Sequence, residues 1–277
     1  VMFADDLKLF CQVSDDVTNI KLQNAVNAVF SWAETWQLSI ALKKCCVLHL
    51  GSNNKNYDYS FNGEILATDI CVKDLGVQIS SDCKFSKHIK NIVSNAHLRL
   101  TNIFKNFRSK NRELLLKAYK VYIRPILEYC SPVWSPYFLK DISLLEKVQK
   151  RLTRKILGKN KPYEERLSIL NLDSLEERRI RLDLTESFKY QTFENYKKQK
   201  FFQTSKNKYN QNNDMFIEYA RTDTRKFWFA NRTSKHWNNL PNEIKSCKNL
   251  LSFNSKMLTV KLRQFCRGPD LQGRNAL

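Results

Sequence analysis

The chain has 277 residues, 42% of them hydrophobic, which is enough for one or two packed cores. A mean hydropathy of −0.51 and the lack of any apolar run near the roughly 20 residues of a spanning helix argue against a membrane protein. The 47 Lys and Arg residues outnumber the 27 Asp and Glu residues, so the formal net charge of +20 favours a polyanionic partner over a merely soluble basic protein.

An acidic turn between two short apolar segments opens the chain. Phe3-Ala4-Asp5-Asp6 follows Val1-Met2 and precedes apolar residues that alternate with polar ones, namely Leu7, Leu9, Cys11 and Val13. This pattern predicts a hairpin with two adjacent carboxylates at its tip. Hard divalent cations such as Mg²⁺ prefer carboxylate ligands, so Asp5 and Asp6 are candidate metal ligands; an ordinary solvated turn is the alternative.

A helix and several short strands are predicted next. Asp15 or Asp16 can cap a helix that runs to about Trp36 and packs an apolar face on a sheet. Strands are predicted near residues 38–40, 46–50, 57–61 and 64–66, the last two joined by the hairpin dipeptide Asn62-Gly63. The strand signals stop after Leu75-Gly76-Val77, so the fold is expected to change at about residue 80.

The rest of the chain has helical spacing of its apolar residues. Helices are predicted over residues 85–107, 111–123 and 142–157, the last ended by Gly158. Ser174 and Glu177 form a capping-box pattern that opens a charged helix to about residue 193, and a flexible loop is predicted over residues 197–214. The predicted fold class is therefore α+β, with the helices concentrated after the strands.

Basic residues are densest on the helix predicted over residues 142–157. They include Lys147, Lys150, Arg151, Arg154 and Lys155, most of them close to one stripe opposite Leu145, Val148, Leu152 and Ile156. A second basic stretch, with Lys105 and Arg108, is predicted in a connection between helices. A helix that lays Lys and Arg along phosphates is a candidate nucleic-acid surface, and a solvated charged face is the alternative.

Tryptophans and cysteines suggest core positions. Trp32, Trp36, Trp134 and Trp237 lie in apolar or Pro-rich settings and are predicted to be core residues. Cys11, Cys71 and Cys130 are predicted to be small buried side chains. The absence of a signal-peptide pattern favours reduced thiols in an intracellular protein, and the cysteine spacing is poor for a zinc site.

Further motifs follow the acidic turn in a fixed order. They are Leu22-Gln23 with Trp32 and Trp36, residues 38–45 with Lys43-Lys44, residues 72–79, Leu127-Glu128-Tyr129-Cys130-Ser131-Pro132-Val133-Trp134, Leu145-Glu146-Lys147-Val148-Gln149, Arg178-Arg179 and Trp237-Asn238-Asn239-Leu240-Pro241. Together with Phe3-Ala4-Asp5-Asp6, this series resembles the reverse transcriptase of jockey-like non-LTR retrotransposons over nearly the whole chain. Ordered matches are far more specific than the acidic tetrapeptide alone.

The resemblance implies a domain organisation and a set of partners. Residues 1–80 would be the C-terminal half of a polymerase palm with motifs C, D and E, residues 81–160 a helical thumb, and residues 161–277 a mostly helical region of unknown role. The family is an RNA-directed DNA polymerase that uses an RNA template, a DNA primer, deoxynucleotides and two Mg²⁺ ions. Its expected location is the nucleus and cytoplasm; oligomeric state is left open.

The resemblance also implies residue roles. Asp5 would be the carboxylate that binds both metal ions, Asp6 would give a supporting contact, and Lys44 would meet the leaving pyrophosphate as the motif D lysine. Leu75, Gly76 and Val77 would form the primer grip, where a residue without a Cβ lets the backbone approach the primer.

Parts of the resembled enzyme have no counterpart in this sequence. The family's motif A Asp, its motif B and its fingers precede the hairpin that here begins at residue 1. The chain is therefore expected to be the C-terminal part of a longer polypeptide, or a truncated copy, and to be inactive alone. The rival hypothesis is a non-catalytic basic module that binds RNA or DNA, or a relict of a decayed element.

Overall fold

The computed structural model describes residues 1–51, 53–107, 111–193, 201–203 and 214–268. The chain divides into two compact units, Val1–Lys84 and Phe85–Leu277. The first mixes a helix with small sheets, and the described part of the second is helical apart from turns and loops. The α+β prediction is confirmed at this level. The palm, thumb and C-terminal roles of the three predicted ranges stay predictions.

Short strands and one long helix form the first unit. In chain order they are β1 Met2–Phe3, β2 Asp6–Leu7, α1 Asp16–Thr35, a 3₁₀ turn Leu42–Lys44, β3 Cys46–Val47, β4 Ser60–Phe61, β5 Glu64–Ile65, β6 Ala67–Thr68, β7 Cys71–Asp74 and β8 Val77–Ser80. Strands β1 and β2, β4 and β5, and β7 and β8 are antiparallel pairs, and β3 pairs with β6 in parallel. Each pair is a separate small sheet.

Helix α1 begins and packs as its sequence predicts. Asp15 is the N-cap residue and forms a reciprocal capping box with Thr18. Phe30, on the buried face of α1, stacks on Phe61 of β4 with ring centroids 3.8 Å apart. The Gln23 amide also donates to the Ser60 carbonyl at 2.7 Å and accepts from the Ser60 N–H at 3.0 Å. The helix is thereby fixed to the β4–β5 hairpin.

Several local predictions for the first unit are wrong. Trp32 and Trp36 are 53% and 64% exposed, because Trp32 lies on the helix face opposite Phe30 and Trp36 lies past the helix end. The strand predicted at residues 38–40 is not formed, since the Leu38 N–H donates to the Ala33 carbonyl at 2.8 Å and closes the helix C-terminus. The paired strands of the first hairpin end at Leu7, with one further backbone pair between Val1 and Lys8, rather than continuing to Val13.

Helices make up the described second unit. In chain order they are α2 Ser86–Asn106, α3 Arg112–Ala118, a π-helical turn Tyr119–Ile123, α4 Arg124–Glu128, α5 Ser131–Trp134, α6 Leu139–Leu157, α7 Tyr163–Leu170, α8 Leu175–Thr192, α9 Asp223–Lys226, α10 Phe229–Asn238, α11 Asn242–Lys245, α12 Leu250–Met257 and a 3₁₀ turn Leu262–Phe265. The predicted helices are confirmed, although the one from residue 111 widens into the π-helical turn. The predicted loop 197–214 lies mostly outside the described residues.

Local signals set the boundaries of the long helices. Ser174 and Glu177 form the predicted capping box of α8, in which the Glu177 N–H donates to Ser174 Oγ at 3.1 Å. Gly158 ends α6 with a φ of 85°, a conformation that suits glycine. Trp134 and Trp237 have no exposed surface, so the core prediction is confirmed for these two tryptophans.

The core of the second unit joins distant helices. Helix α6 packs on α2, and α8 packs on α10 and α12. One apolar cluster contains Leu184 and Phe188 of α8, Trp237 of α10, and Phe253 and Met257 of α12. In the described part of the chain, no helix is both long and apolar enough to cross a membrane.

The cysteines differ from the prediction. Cys11 is exposed and Cys71 and Cys130 are half-buried, whereas Cys266 is buried. Cys11 lies beyond the paired part of the first hairpin, which leaves its side chain uncovered. Within the described ranges, which contain all the cysteines, no disulfide is formed.

Candidate functional site

The acidic turn forms the predicted hairpin. Phe3 pairs with Asp6 and Met2 with Leu7, so Ala4 and Asp5 make the turn and Asp6 opens the returning strand. Ala4 adopts a φ of 51°. The side chains of Asp5 and Asp6 are both exposed. Two neighbouring carboxylates are therefore accessible to a cation from solvent.

The oxygen donors of this hairpin suit a hard cation such as Mg²⁺, which binds carboxylates and retains several water ligands. Among the residues that the structure describes, no group of three or more His, Cys, Asp and Glu side chains is arranged to hold a metal ion. Asp5 and Asp6 can thus supply part of a ligand set. A two-metal site needs further donors.

An ion pair links this hairpin to a second one. The Lys8 backbone N–H donates to the Val1 carbonyl at 2.8 Å, so Lys8 continues the first hairpin. Its ammonium pairs with the carboxylate of Asp74, the last residue of β7, and the two side chains are 40% and 23% exposed. The first hairpin is therefore held close to the Leu75–Gly76 turn. Sequence reasoning missed both residues, because they lie 66 positions apart and belong to no shared motif.

The segment predicted as the primer grip is a tight hairpin turn. Asp74 pairs with Val77, so Leu75 and Gly76 are the two turn residues, with φ of 43° and 87°. Positive φ at both positions is the geometry of a type I′ turn, for which glycine is suited. Val77 is buried, whereas Leu75 is 40% exposed. Gly76 thus lies in a turn rather than in a strand or a bulge, and the turn is exposed on one side.

The predicted motif D lysine lies in the 3₁₀ turn that precedes β3. Lys44 and its neighbour Lys43 end this turn, and both side chains are exposed. The Lys44 backbone N–H donates to the Ala41 carbonyl at 2.9 Å, which fixes the turn but leaves the ammonium group in solvent. Its role with pyrophosphate stays a prediction.

The basic helix α6 has the two faces that its sequence predicts. Leu145, Val148 and Leu152 are fully buried. Over residues 145–155 the exposed side chains are the basic ones, namely Lys147, Arg151, Arg154 and Lys155. We call these four residues the basic stripe. Lys150 lies beside the stripe, half-buried, with its ammonium 5.1 Å from the Tyr163 ring centroid.

Helix α2 orients part of the basic stripe. Arg151 donates from Nη2 to Thr101 Oγ1 at 3.0 Å, and its guanidinium lies 5.9 Å from the Phe104 ring centroid. The Lys155 ammonium lies 5.7 Å from the same ring. Cation–π contacts and a hydrogen bond of this kind restrain long side chains. Two cations of α6 are thereby held beside one aromatic ring of α2.

The second predicted basic stretch is only partly described. Lys105 is exposed in the last turn of α2, not in a connection between helices as predicted, because the helix continues to Asn106. Arg108 lies outside the described residues. Lys105 extends the basic surface along α2, and its binding role stays a prediction.

A buried polar network holds α6 in place. Gln149 accepts from the Tyr119 hydroxyl at 2.7 Å and donates to the Asp173 carbonyl at 2.9 Å. Glu146 accepts from the Tyr163 hydroxyl at 2.6 Å and from the Glu176 N–H at 2.9 Å. Burial raises the pKa of Glu146 above the ordinary value of a glutamate, and the nearby Arg179 opposes that shift.

Residues of the segments 127–134 and 178–179, which belong to the ordered series of motifs, also form contacts. The guanidinium of Arg178 forms a bidentate ion pair with the carboxylate of Glu128, which includes an Nη2 to Oε2 distance of 3.0 Å. The Trp134 ring N–H donates to the Tyr129 carbonyl at 2.8 Å. These contacts join α4 to α8 and fix the segment between α4 and α5. Their spacing in sequence gave no signal of the pairing.

Comparison with known proteins gives partial similarities. The chain is 32% identical over 113 residues to an uncharacterised protein of Caenorhabditis elegans, across 39% of this chain and 57% of that protein. It is 26% identical over 161 residues to the RNA-directed DNA polymerase from mobile element jockey of Drosophila funebris, across 56% of this chain and 18% of the polymerase. For the protein of the same name from Drosophila melanogaster, identity is 24% over 141 residues, across 50% and 15%.

These similarities support a reverse-transcriptase-like relationship. The chain covers between 15% and 57% of the lengths of these relatives. No protein-family model and no solved structure matches it.

Proposed function

We propose that this chain forms part of an RNA-directed DNA polymerase, in which the first unit contributes to the catalytic palm and the second binds the template and primer. The observation that carries the proposal is the similarity to two jockey polymerases over about half of the chain. The acidic hairpin supports it, because one exposed carboxylate lies in its turn and a second begins the returning strand.

The residues of the first unit receive specific roles in this proposal. Asp5 offers the bridging carboxylate oxygens and Asp6 a supporting contact in a Mg²⁺ site completed by residues of a longer polypeptide. When bound, two Mg²⁺ ions would supply charge stabilisation to the attacking hydroxyl and the leaving pyrophosphate. The Lys8–Asp74 ion pair links the hairpin that carries the carboxylates to the hairpin that carries the Leu75–Gly76 turn, which suits a primer grip. Lys44 neutralises the charge of pyrophosphate.

The second unit would hold nucleic acid through the basic stripe. Four exposed cations on one face of α6 can line up with successive phosphates, while the buried polar network keeps that helix in place. Backbone contacts of this kind carry little sequence preference. They suit a polymerase, which must move along any template.

The second candidate is a non-catalytic basic module that binds RNA or DNA. The net charge of +20 and the exposed basic stripe support it, because binding to phosphates needs no metal site. Under both candidates this chain alone is expected to show no primer extension with Mg²⁺ and deoxynucleotides. The candidates differ in what the hairpin does within a longer polypeptide.

Substitution of Asp5 separates the two candidates. In a longer polypeptide that extends primers, Asp5→Asn removes one charge but keeps the size of the side chain and its tolerance of a turn. Primer extension is expected to fall by at least roughly 10³-fold, and Asp6→Asn is expected to cost less. The control is Asp58→Asn, which removes a charge from another exposed position of the first unit.

Near-normal extension by the Asp5→Asn polypeptide would refute the metal role of the hairpin and leave the binding module. A larger loss of primer extension for Asp6→Asn than for Asp5→Asn would make Asp6 the bridging ligand and Asp5 the supporting one. Primer extension by this chain alone, lost on Asp5→Ala, would show that the chain itself supplies every ligand of the metal site, contrary to both candidates.

A further inference from the structure

A cationic cleft lies in the second unit, far in sequence from the acidic hairpin and separate from the basic stripe. Residues of α8, α9 and α10, the segment after α5 and the 3₁₀ turn near the C-terminus line it. Its lining has five cationic side chains, Arg179, Lys226, Arg232, Lys235 and Arg267, and two carboxylates, Glu176 and Asp183. The excess of positive charge favours an anionic ligand.

Arg179 is the unusual member of this lining. The residue is 2% exposed, and its Nη1 and Nη2 atoms are buried with no hydrogen-bond partner in the described part of the chain. Burial of guanidinium donors without acceptors is costly, and folded proteins rarely leave such groups unsatisfied. An arginine in this state is prepared for an acceptor that comes from outside the chain.

Three carboxylates lie near Arg179, those of Glu146, Glu176 and Asp183, and none forms a hydrogen bond with its Nη1 or Nη2. Glu146 accepts from the Tyr163 hydroxyl and from the Glu176 N–H instead. Asp183 accepts two hydrogen bonds from Arg232, at 2.8 and 2.9 Å. Glu176 accepts the backbone N–H groups of Arg267 and Gly268, at 2.8 and 2.9 Å. These acids balance part of the local charge, but their oxygens are directed to other donors.

The imidazole ring of His236, which also lines the cleft, has a second unsatisfied polar atom. His236 Nδ1 is buried and has no hydrogen-bond partner among the described residues. Its ring lies against Phe265, with centroids 5.3 Å apart. Two unsatisfied polar groups that line one cleft are an independent indication of a missing ligand.

Aromatic rings hold the outer cations of the cleft. Phe227 stacks on Tyr137 with ring centroids 4.9 Å apart and an interplanar angle of 5°. The Arg267 guanidinium lies 4.6 Å from the Phe227 centroid and donates to the Tyr137 carbonyl at 2.9 Å. The Lys226 ammonium lies 5.5 Å from the same ring. The positive charges are thus restrained before any ligand arrives.

We propose that this cleft binds a phosphate group, either of free pyrophosphate or at the end of a nucleic-acid strand. An arginine fork and two lysines in the lining of one cleft can donate to several oxygens at once, which suits a phosphate better than a carboxylate with its two oxygens. This gives a role to the C-terminal region. The proposal is independent of the metal hairpin, because none of its residues belongs to the first unit.

Calorimetric titration of the full chain with sodium pyrophosphate tests the site. Binding is expected, and Lys226→Gln with Lys235→Gln should weaken it roughly tenfold or more, since each lost charge-assisted contact costs about that factor. The matched control is Lys248→Gln with Lys261→Gln, which removes the same charge from exposed positions outside the cleft. Arg179→Lys keeps the charge but removes the fork, and it should weaken binding by a similar factor.

Circular dichroism establishes that each variant is folded before it is titrated. The Lys226 and Lys235 pair keeps the test valid if Arg179→Lys fails to fold. Competition by oligonucleotides with and without a 5′-phosphate then identifies the source of the anion. If only the phosphorylated oligonucleotide displaces pyrophosphate, the cleft binds the end of a strand. If neither oligonucleotide displaces it, the cleft binds the free anion. Absence of pyrophosphate binding, or equal weakening by the control pair, would overturn the proposal.

Discussion

The Lys8 ammonium forms an ion pair with the Asp74 carboxylate, and the two residues belong to different hairpins of the first unit. Lys8 extends the hairpin that carries Asp5 and Asp6, and Asp74 precedes the Leu75–Gly76 turn. One contact therefore sets the spacing of two segments whose proposed roles depend on being adjacent.

We expect this ion pair to stabilise the first hairpin by about 0.2–1 kcal/mol, since both side chains keep some solvent exposure. Lys8→Met and Asp74→Asn should each speed hydrogen exchange at the Lys8 backbone N–H, and the double variant should show no further increase. Lys84→Met, which removes a local pair with Asp82, is the control. Fully additive effects of the two substitutions would show that the pair contributes no coupling.

Leu75 is expected to be a strained position. A leucine at φ of 43° in a type I′ turn is unfavourable, whereas Asn tolerates this geometry and occupies the same position of the Asn62-Gly63 turn. Leu75→Asn should therefore raise the free energy of unfolding of the first unit by about 0.5–1 kcal/mol. Urea unfolding measures the change. A loss of stability would mean that packing of the Leu75 side chain outweighs the strain.

Salt dependence is expected to reveal the basic stripe. Replacement of Lys147, Arg151, Arg154 and Lys155 by Gln should flatten the slope of log binding constant against log salt by roughly 2 to 4 units on duplex nucleic acid. The control replaces four exposed cations elsewhere, Arg221, Lys248, Lys256 and Lys261, by Gln. An unchanged slope for the stripe variant would assign these residues to an ordinary solvated face.

His236 should make the protein sensitive to acid. Burial, with smaller effects from Arg232 and Lys235, lowers the pKa of His236 from 6.5 to about 4. Between these values the unfolded chain binds a proton that the folded chain does not, so stability falls as the pH drops from 6.5 towards 4. The loss from this residue is about 3 kcal/mol at most.

Between pH 7 and pH 4.5, the free energy of unfolding should therefore fall less for His236→Gln than for the original chain. Urea unfolding at the two pH values measures both changes. Glu146 and Asp183 act in the opposite sense, because burial raises their pKa values. Glu146 and Asp183 are present in both proteins, so their contribution cancels when the pH dependence of the variant is subtracted from that of the original chain. His49→Gln, in the first unit, serves as the control, and an identical pH dependence in all three proteins would contradict the prediction.

Features set by neighbouring residues were predictable from the sequence. The Asp15 helix cap, the Ser174 capping box and the Asn62-Gly63 turn depend on side chains a few positions apart, and all three form as expected. Burial of one face of α6 follows from the helical period alone. The acidic hairpin was predictable for the same reason, because all the residues that form its turn and its paired strands lie within positions 2–7.

Features that depend on distant partners were not predictable. The ion pairs of Lys8 with Asp74 and Arg178 with Glu128 join residues 66 and 50 positions apart, and no local pattern marks either. The exposure of Trp32 and Trp36 likewise depends on which face of α1 packs against the rest of the first unit, and hydrophobicity alone does not reveal that face. The cationic cleft gave no signal, because its lining comes from five separate segments.

The π-helical turn Tyr119–Ile123 has a consequence for how this chain can vary in length. It lies between two anchors, the hydrogen bond of Tyr119 with Gln149 and the ion pair of Glu128 with Arg178. A widened turn accommodates an extra residue relative to a regular α-helix. A related sequence one residue shorter between these anchors could close the turn into a regular α-helix and retain both contacts, so this segment is where an alignment gap would be structurally neutral.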